Sequence, residues 1–143
     1  MSTPKEEVEI LMNNLLPFAK QMLAKHGEFY PYGGYIALNG KITHVGGQIE
    51  GTDRPKSQPM IDLLRENLKQ KARDGKLKAA VVIFDVRIKP PKEENKTDAI
   101  QVCLDHQSGY SAEVLFPYTF TNGELLFGKT FAQKGDGEIF AQK

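Results

Sequence analysis

The chain of 143 residues contains a single cysteine, Cys103, and no tryptophan. One cysteine permits neither a disulfide within the chain nor a multi-cysteine zinc site, so the hydrophobic core must hold the fold and a reducing compartment is the natural setting. An excess of charge of one sign is also missing: nineteen Lys and Arg against eighteen Asp and Glu leave a formal net charge of +1. Nucleic-acid binders carry a marked basic excess that displaces counterions, so that class is not expected. No apolar run approaches the ~20 residues of a membrane span. The N-terminus carries Lys5, Glu6, Glu7 and Glu9 where a signal peptide would place a basic start and an apolar run. The expectation is a cytoplasmic protein with no membrane partner.

Phosphate-loop, dinucleotide and nucleophile-elbow signatures are absent, and the three histidines have no metal-site spacing. Residues 135–138 lack the spaced acidic ligands of a calcium loop. Nothing implies a cofactor or metal. What is present is an ordinary globular composition, 40% hydrophobic and 26% charged, on a chain long enough for one domain spanning residues 1–143.

Thr3-Pro4-Lys5-Glu6 spells a helix start, with a capping threonine, proline at the first helical position and a capping-box glutamate. Val8, Leu11, Met12, Leu15, Leu16, Ala19, Met22 and Leu23 follow at helical spacing, and Gly27 ends the run. Pro17 inside it predicts a kink or break. Asn39-Gly40 predicts a tight type I′ hairpin that would set Tyr35 opposite His44 on one side of the sheet. A polar loop to residue 56 leads to a second helix over residues 57–74, with Met60, Ile61, Leu64, Leu68 and Ala72 as its apolar stripe.

Residues 77–89 form a strand apolar on both faces, with Leu77, Ala79, Val81 and Ile83 on one and Ala80, Val82 and Phe84 on the other. Such a strand is central, covered by a helix on each face or by a second subunit. The charged connection 90–96 precedes strands over 97–106 and from Tyr110, and Asn122-Gly123 predicts another tight hairpin before a last clear strand over 124–131. Pro117 predicts an edge position or a bulge. Phe131-Ala132-Gln133-Lys134 recurs at 140–143, which chance or a final strand pairing back would explain. The fold class is therefore α+β: an antiparallel five- or six-stranded sheet with two helices, ordered α-β-β-α-β-β-β-β. By element order alone it is similar to profilin-like, roadblock and longin architectures, which transfers no function.

Residues 28–35 hold four aromatics, one proline and two glycines. Phe29, Tyr30, Tyr32 and Tyr35 could line a pocket or partner-binding face, with the glycines allowing close approach, or they could close the core under the first helix. His44 is the candidate acid–base residue, though no third group marks its orientation. Asp85 and Arg87 interrupt one apolar face of the central strand, and Asp105 with His106 ends the next; these could form a polar pocket or an ion pair where the sheet meets solvent.

The run Gly27-Glu28-Phe29-Tyr30-Pro31-Tyr32-Gly33 after an N-terminal helix, with Lys96-Thr97-Asp98-Ala99-Ile100 and Phe116-Pro117-Tyr118, resembles a group of small bacterial proteins with no assigned activity. That resemblance implies a class without chemistry, and by association an immunity-protein role. The functional expectation is a non-catalytic protein-interaction module, possible as a homodimer through residues 29–35 or the second face of the central strand. The alternative is a small-molecule-binding domain or enzyme with a pocket near His44, using Tyr32 and Asp85 or Asp105.

Overall fold

The computed structural model describes residues 3–46 and 57–140. The polar loop over 47–56 and most of the second copy of the Phe-Ala-Gln-Lys tetrapeptide lie outside the described residues.

Helix α1 (Pro4–His26) begins as its chemistry dictates. Thr3 accepts the Glu6 N–H, Glu6 reaches back to the cap, and Gly27 closes the other end in the left-handed region. Val8, Leu11, Leu15, Leu16, Ala19 and Leu23 form the buried stripe. The helix runs through Pro17 without a break. The hydroxyl of Tyr32 accepts the N–H of Ala19 at 3.1 Å and donates to the C=O of Leu15 at 2.6 Å. Those two groups would bond each other in a regular helix, so a side chain bridges the turn that contains the proline.

Strands β1 (Tyr32–Ala37) and β2 (Ile42–Gly46) form the first hairpin. Its loop has three residues, not two. Gly40 N–H donates to Ala37 C=O, Ala37 N–H donates to Lys41 C=O, and only Gly40 of the turn has positive φ (92°). This is a type I turn closed by a glycine bulge, which also uses Asn-Gly but moves the register by one residue. Tyr35 therefore pairs with Thr43, and His44 pairs with Gly34. Because side chains alternate, Tyr35 and His44 fall on opposite faces, correcting the expected juxtaposition.

Helix α2 (Ser57–Arg73) leads to β3 (Leu77–Ile88), followed by β4 (Thr97–His106), β5 (Ser111–Thr121), β6 (Glu124–Phe127) and β7 (Phe131–Lys134). All pairs are antiparallel, with strand order β2-β1-β3-β4-β5-β6 and β7 on the outer side of β5. The sheet thus has seven strands, not five or six, because the expected last strand divides in two. Gly128 N–H bonds Pro117 C=O between the two halves. In an antiparallel ladder that places the missing proline N–H on the same outer side, where the neighbouring strand is interrupted and no ladder donor is needed. The Asn122-Gly123 hairpin keeps its two-residue form, both residues having positive φ.

One helix covers each face of β3. Ala79, Val81 and Ile83 join the core under α1, with Ile100, Val102 and Leu104. Ala80, Val82 and Phe84 join Ile61, Leu64 and Leu68 of α2. Leu77 belongs to this second cluster, not the first, because the β1–β3 register shifts beside Ala37. The doubly apolar strand is covered within the chain and requires no second subunit.

Candidate functional site

The aromatic segment divides between core and surface. Phe29 and Tyr32 are buried under α1, with Tyr32 stacked edge-on against Phe18 and Phe29. Burial raises the Tyr32 pKa, its backbone bond to Ala19 offsetting only part of the effect. Tyr35 is half-buried on the α2 side, and only Tyr30 is exposed, at 39%. The glycine pair serves packing: a Cβ on Gly33 would collide with the Val81 carbonyl, and one on Gly34 with Leu15 and the Thr43 carbonyl. The close approach those glycines permit is that of strand to strand and helix to sheet.

His44 is exposed on the α1 side, its Nε2 3.2 Å from Asn14 Oδ1. Asp85 accepts the Tyr118 hydroxyl at 2.7 Å. Desolvation raises the Asp85 pKa against that hydrogen bond, and burial together with Asp85 raises that of Tyr118. Arg87 pairs with Asp98 at 3.2 Å in an exposed ion pair. The antiparallel register sets Ala80 against Asp105 and Arg87 against Asp98, so Asp85 and Asp105 occupy opposite ends of the β3–β4 pair and opposite faces. Tyr32, His44, Asp85 and Asp105 do not converge.

Asp105 anchors the chain's final described segment. It is 6% exposed, accepts the Ser111 hydroxyl at 2.6 Å and takes the backbone N–H of Ile139. Ser111 Oγ in turn accepts the Gly137 N–H. Glu138 is gripped by Lys69 at 2.8 Å and Arg65 at 3.5 Å, and Ile139 inserts beneath α2. Burial raises the Asp105 pKa, opposed by Ser111 and Ile139. The neighbouring cavity measures about 20 Å³, room for one water and no substrate. Cys103 at its edge has a pKa raised by burial, the reverse of an activated thiol.

At the other face of the β4 terminus lies a constellation that sequence order conceals. Glu7, ninety-nine residues away, meets His106 Nε2 at 2.9 Å and Lys78 at 2.6 Å. His106 Nδ1 stands 2.9 Å from Ser108 Oγ. Ser, His and Glu in hydrogen-bonded series invite comparison with a hydrolytic triad, and an open depression of about 540 Å³ adjoins them. The backbone argues otherwise. Ser108 N–H donates to Nδ1 at 3.0 Å, so the same lone pair serves the serine's amide and its hydroxyl. Every other N–H from residue 106 to 110 is also consumed: His106 on Tyr110 C=O, Gln107 on Lys78 C=O, Gly109 on His106 C=O, and Tyr110 on Ser108 Oγ. The turn has no free donor to stabilise an oxyanion, usually the largest catalytic contribution at such a site. Its residues build a β-turn. No group of three or more His, Cys, Asp or Glu suited to hold a metal occurs among the described residues.

A cleft of about 560 Å³ opens on the α2 side of the sheet, with no residue of that helix in its lining. Buried Pro117 forms its floor with Thr97. The 90–96 connection, led by Pro90 and Pro91, makes one wall. Leu126, Gly128 and Phe131, from the two halves of the divided outer strand, make the other. Lys92, Lys96 and Lys129 line it against one carboxylate, Glu93. Its size falls in the range of ligand pockets, which join an apolar lining to a few polar groups. Leu126 is 44% exposed there; on the sheet's other side Phe120 and Phe127 flank Tyr118, and the Lys20 ammonium lies over the Phe127 ring at 5.0 Å. Sequence reading missed this cleft, treating residues 90–96 as a connection; the proline pair among lysines was the available signal.

Comparison with known families, curated proteins and solved structures finds no match. No helix among the described residues is long and apolar enough to cross a membrane.

Proposed function

We propose that this protein is a non-catalytic interaction module that binds another protein through the cleft at the β5–β6 end. The observation that carries the reading is that cleft: a large apolar concavity, bordered by exposed Leu126, on a face that α2 leaves open. Apolar groups grouped around one concavity on an otherwise mixed surface mark interaction sites. The polar constellations support the same reading, since Asp105 anchors a backbone and His106 with Ser108 builds a turn.

The test is site-specific photo-crosslinking in cells that make the protein. A benzophenone side chain at Leu126 is expected to give one discrete crosslinked species. The same group at Ile10, 53% exposed on α1, should give none. Equal labelling from both positions, or from neither, would remove the reading.

A further inference from the structure

We infer that the partner enters this cleft as an extended acidic segment carrying an aromatic or aliphatic anchor residue. The inference rests on the reading of the cleft as a protein-binding site and adds the chemistry of what it binds.

Charge comes first. Lys92, Lys96 and Lys129 form no ion pair with a described residue, although the exposed cations Arg73 and Arg87 do. Three lysines facing one glutamate, on a chain whose formal net charge is only +1, concentrate positive potential at this site.

The position of Lys92 strengthens the point. The Glu93 N–H donates to Pro90 C=O across a turn with Pro91 and Lys92 at its centre, and Lys92 has φ 67°. That is the place in a type II turn where glycine is ordinarily found. A lysine there carries backbone strain while presenting an ammonium at the wall of the cleft, and such strain gathers at functional sites.

The extended form follows from the sheet. Strand β6 pairs only with β5, so the outer N–H and C=O groups of Glu124–Phe127 have no ladder partner among the described residues. Leu126 belongs to this open edge and also lines the cleft. An added strand would satisfy the edge and run alongside Leu126 at the outer wall of the cleft, its anchor residue reaching over that side chain into the concavity.

A random peptide library displayed on phage and selected on the full chain tests this. Enriched peptides are expected to carry an acidic excess around one aromatic or aliphatic residue. A representative peptide should bind roughly tenfold more weakly to the Lys92→Gln, Lys96→Gln, Lys129→Gln triple variant, and should weaken as salt is raised. Leu126→Ser, at an exposed position and checked for folding by circular dichroism, should lose binding more strongly. Enriched peptides without acidic excess, or unchanged affinity for the triple variant, would overturn the acidic assignment; dependence on Leu126 in that case would leave the cleft as the binding site. Enrichment indifferent to both Leu126 and the lysines would sink the inference and the underlying reading together. A library yielding no enriched peptide would overturn the peptide assignment, and the Leu126 crosslink would then judge the reading alone.

Discussion

The phenol of Tyr32 donates to the carbonyl of Leu15 at 2.6 Å from within the hydrogen-bond ladder of α1, one turn around Pro17. A helix that must accommodate an interior proline loses one N–H and crowds a carbonyl. Here the first strand supplies a hydroxyl that rejoins the opened ladder, tying helix to sheet.

Tyr32→Phe should therefore cost about 1–3 kcal/mol, the range for leaving buried polar groups without a partner. Urea unfolding would read it. In a Pro17→Ala background the helix can close the Ala19–Leu15 bond itself, and the same substitution should cost less; equal costs in both backgrounds would show that the proline and the phenol are uncoupled. Tyr30→Ala, at an exposed position, should stay within about 0.5 kcal/mol.

Glu7 gives a pH signature. Hydrogen bonds from Lys78, then His106, hold its pKa below the ordinary 4.5. A carboxylate whose folded pKa is depressed adds stability above its unfolded value and loses it as pH falls through the folded one. Glu7→Gln should destabilise the protein at neutral pH, and the difference from wild type should close as pH drops below about 4.5. A difference that stays constant down through acid pH would mean the ion pair contributes nothing.

Asp105→Ala should release the final described segment before it disturbs the sheet. The substitution leaves Ser111 O–H and Ile139 N–H without their acceptor. Hydrogen exchange is expected to quicken at residues 135–139 while β3 keeps its protection. Uniform acceleration would instead mark Asp105 as a determinant of the whole core.

The Ser108–His106–Glu7 series should be chemically silent. Without a free backbone donor at the turn, the protein should not hydrolyse p-nitrophenyl acetate faster than a Ser108→Ala variant, and a fluorophosphonate should not label Ser108. Stoichiometric labelling at that serine would reverse the non-catalytic reading.

Much of the frame is written locally and could be read without coordinates. The capping box at Thr3 and Glu6, the apolar stripe from Val8 to Leu23 and the two-faced apolarity of residues 77–84 involve near neighbours, so spacing alone reveals them. Neither hairpin's form is settled by Asn-Gly, which serves both a two-residue turn and a three-residue turn with a glycine bulge. At Asn122-Gly123 the shorter turn forms; at Asn39-Gly40 the longer one does, and a single residue of register separates Tyr35 from His44 by the thickness of the sheet. Only the tertiary structure decided this. It also brought Glu7 to His106 and assembled the cleft from residues 90–97, 117–119 and 126–131, since contacts between distant segments depend on packing that sequence spacing does not encode. By itself the sequence determined a two-helix antiparallel α+β protein, because caps, turns and periodicity act between neighbours in the chain. Where its chemistry gathers was decided in three dimensions, because hydrophobic burial is non-directional and the faces, register and edges follow only once every element has packed.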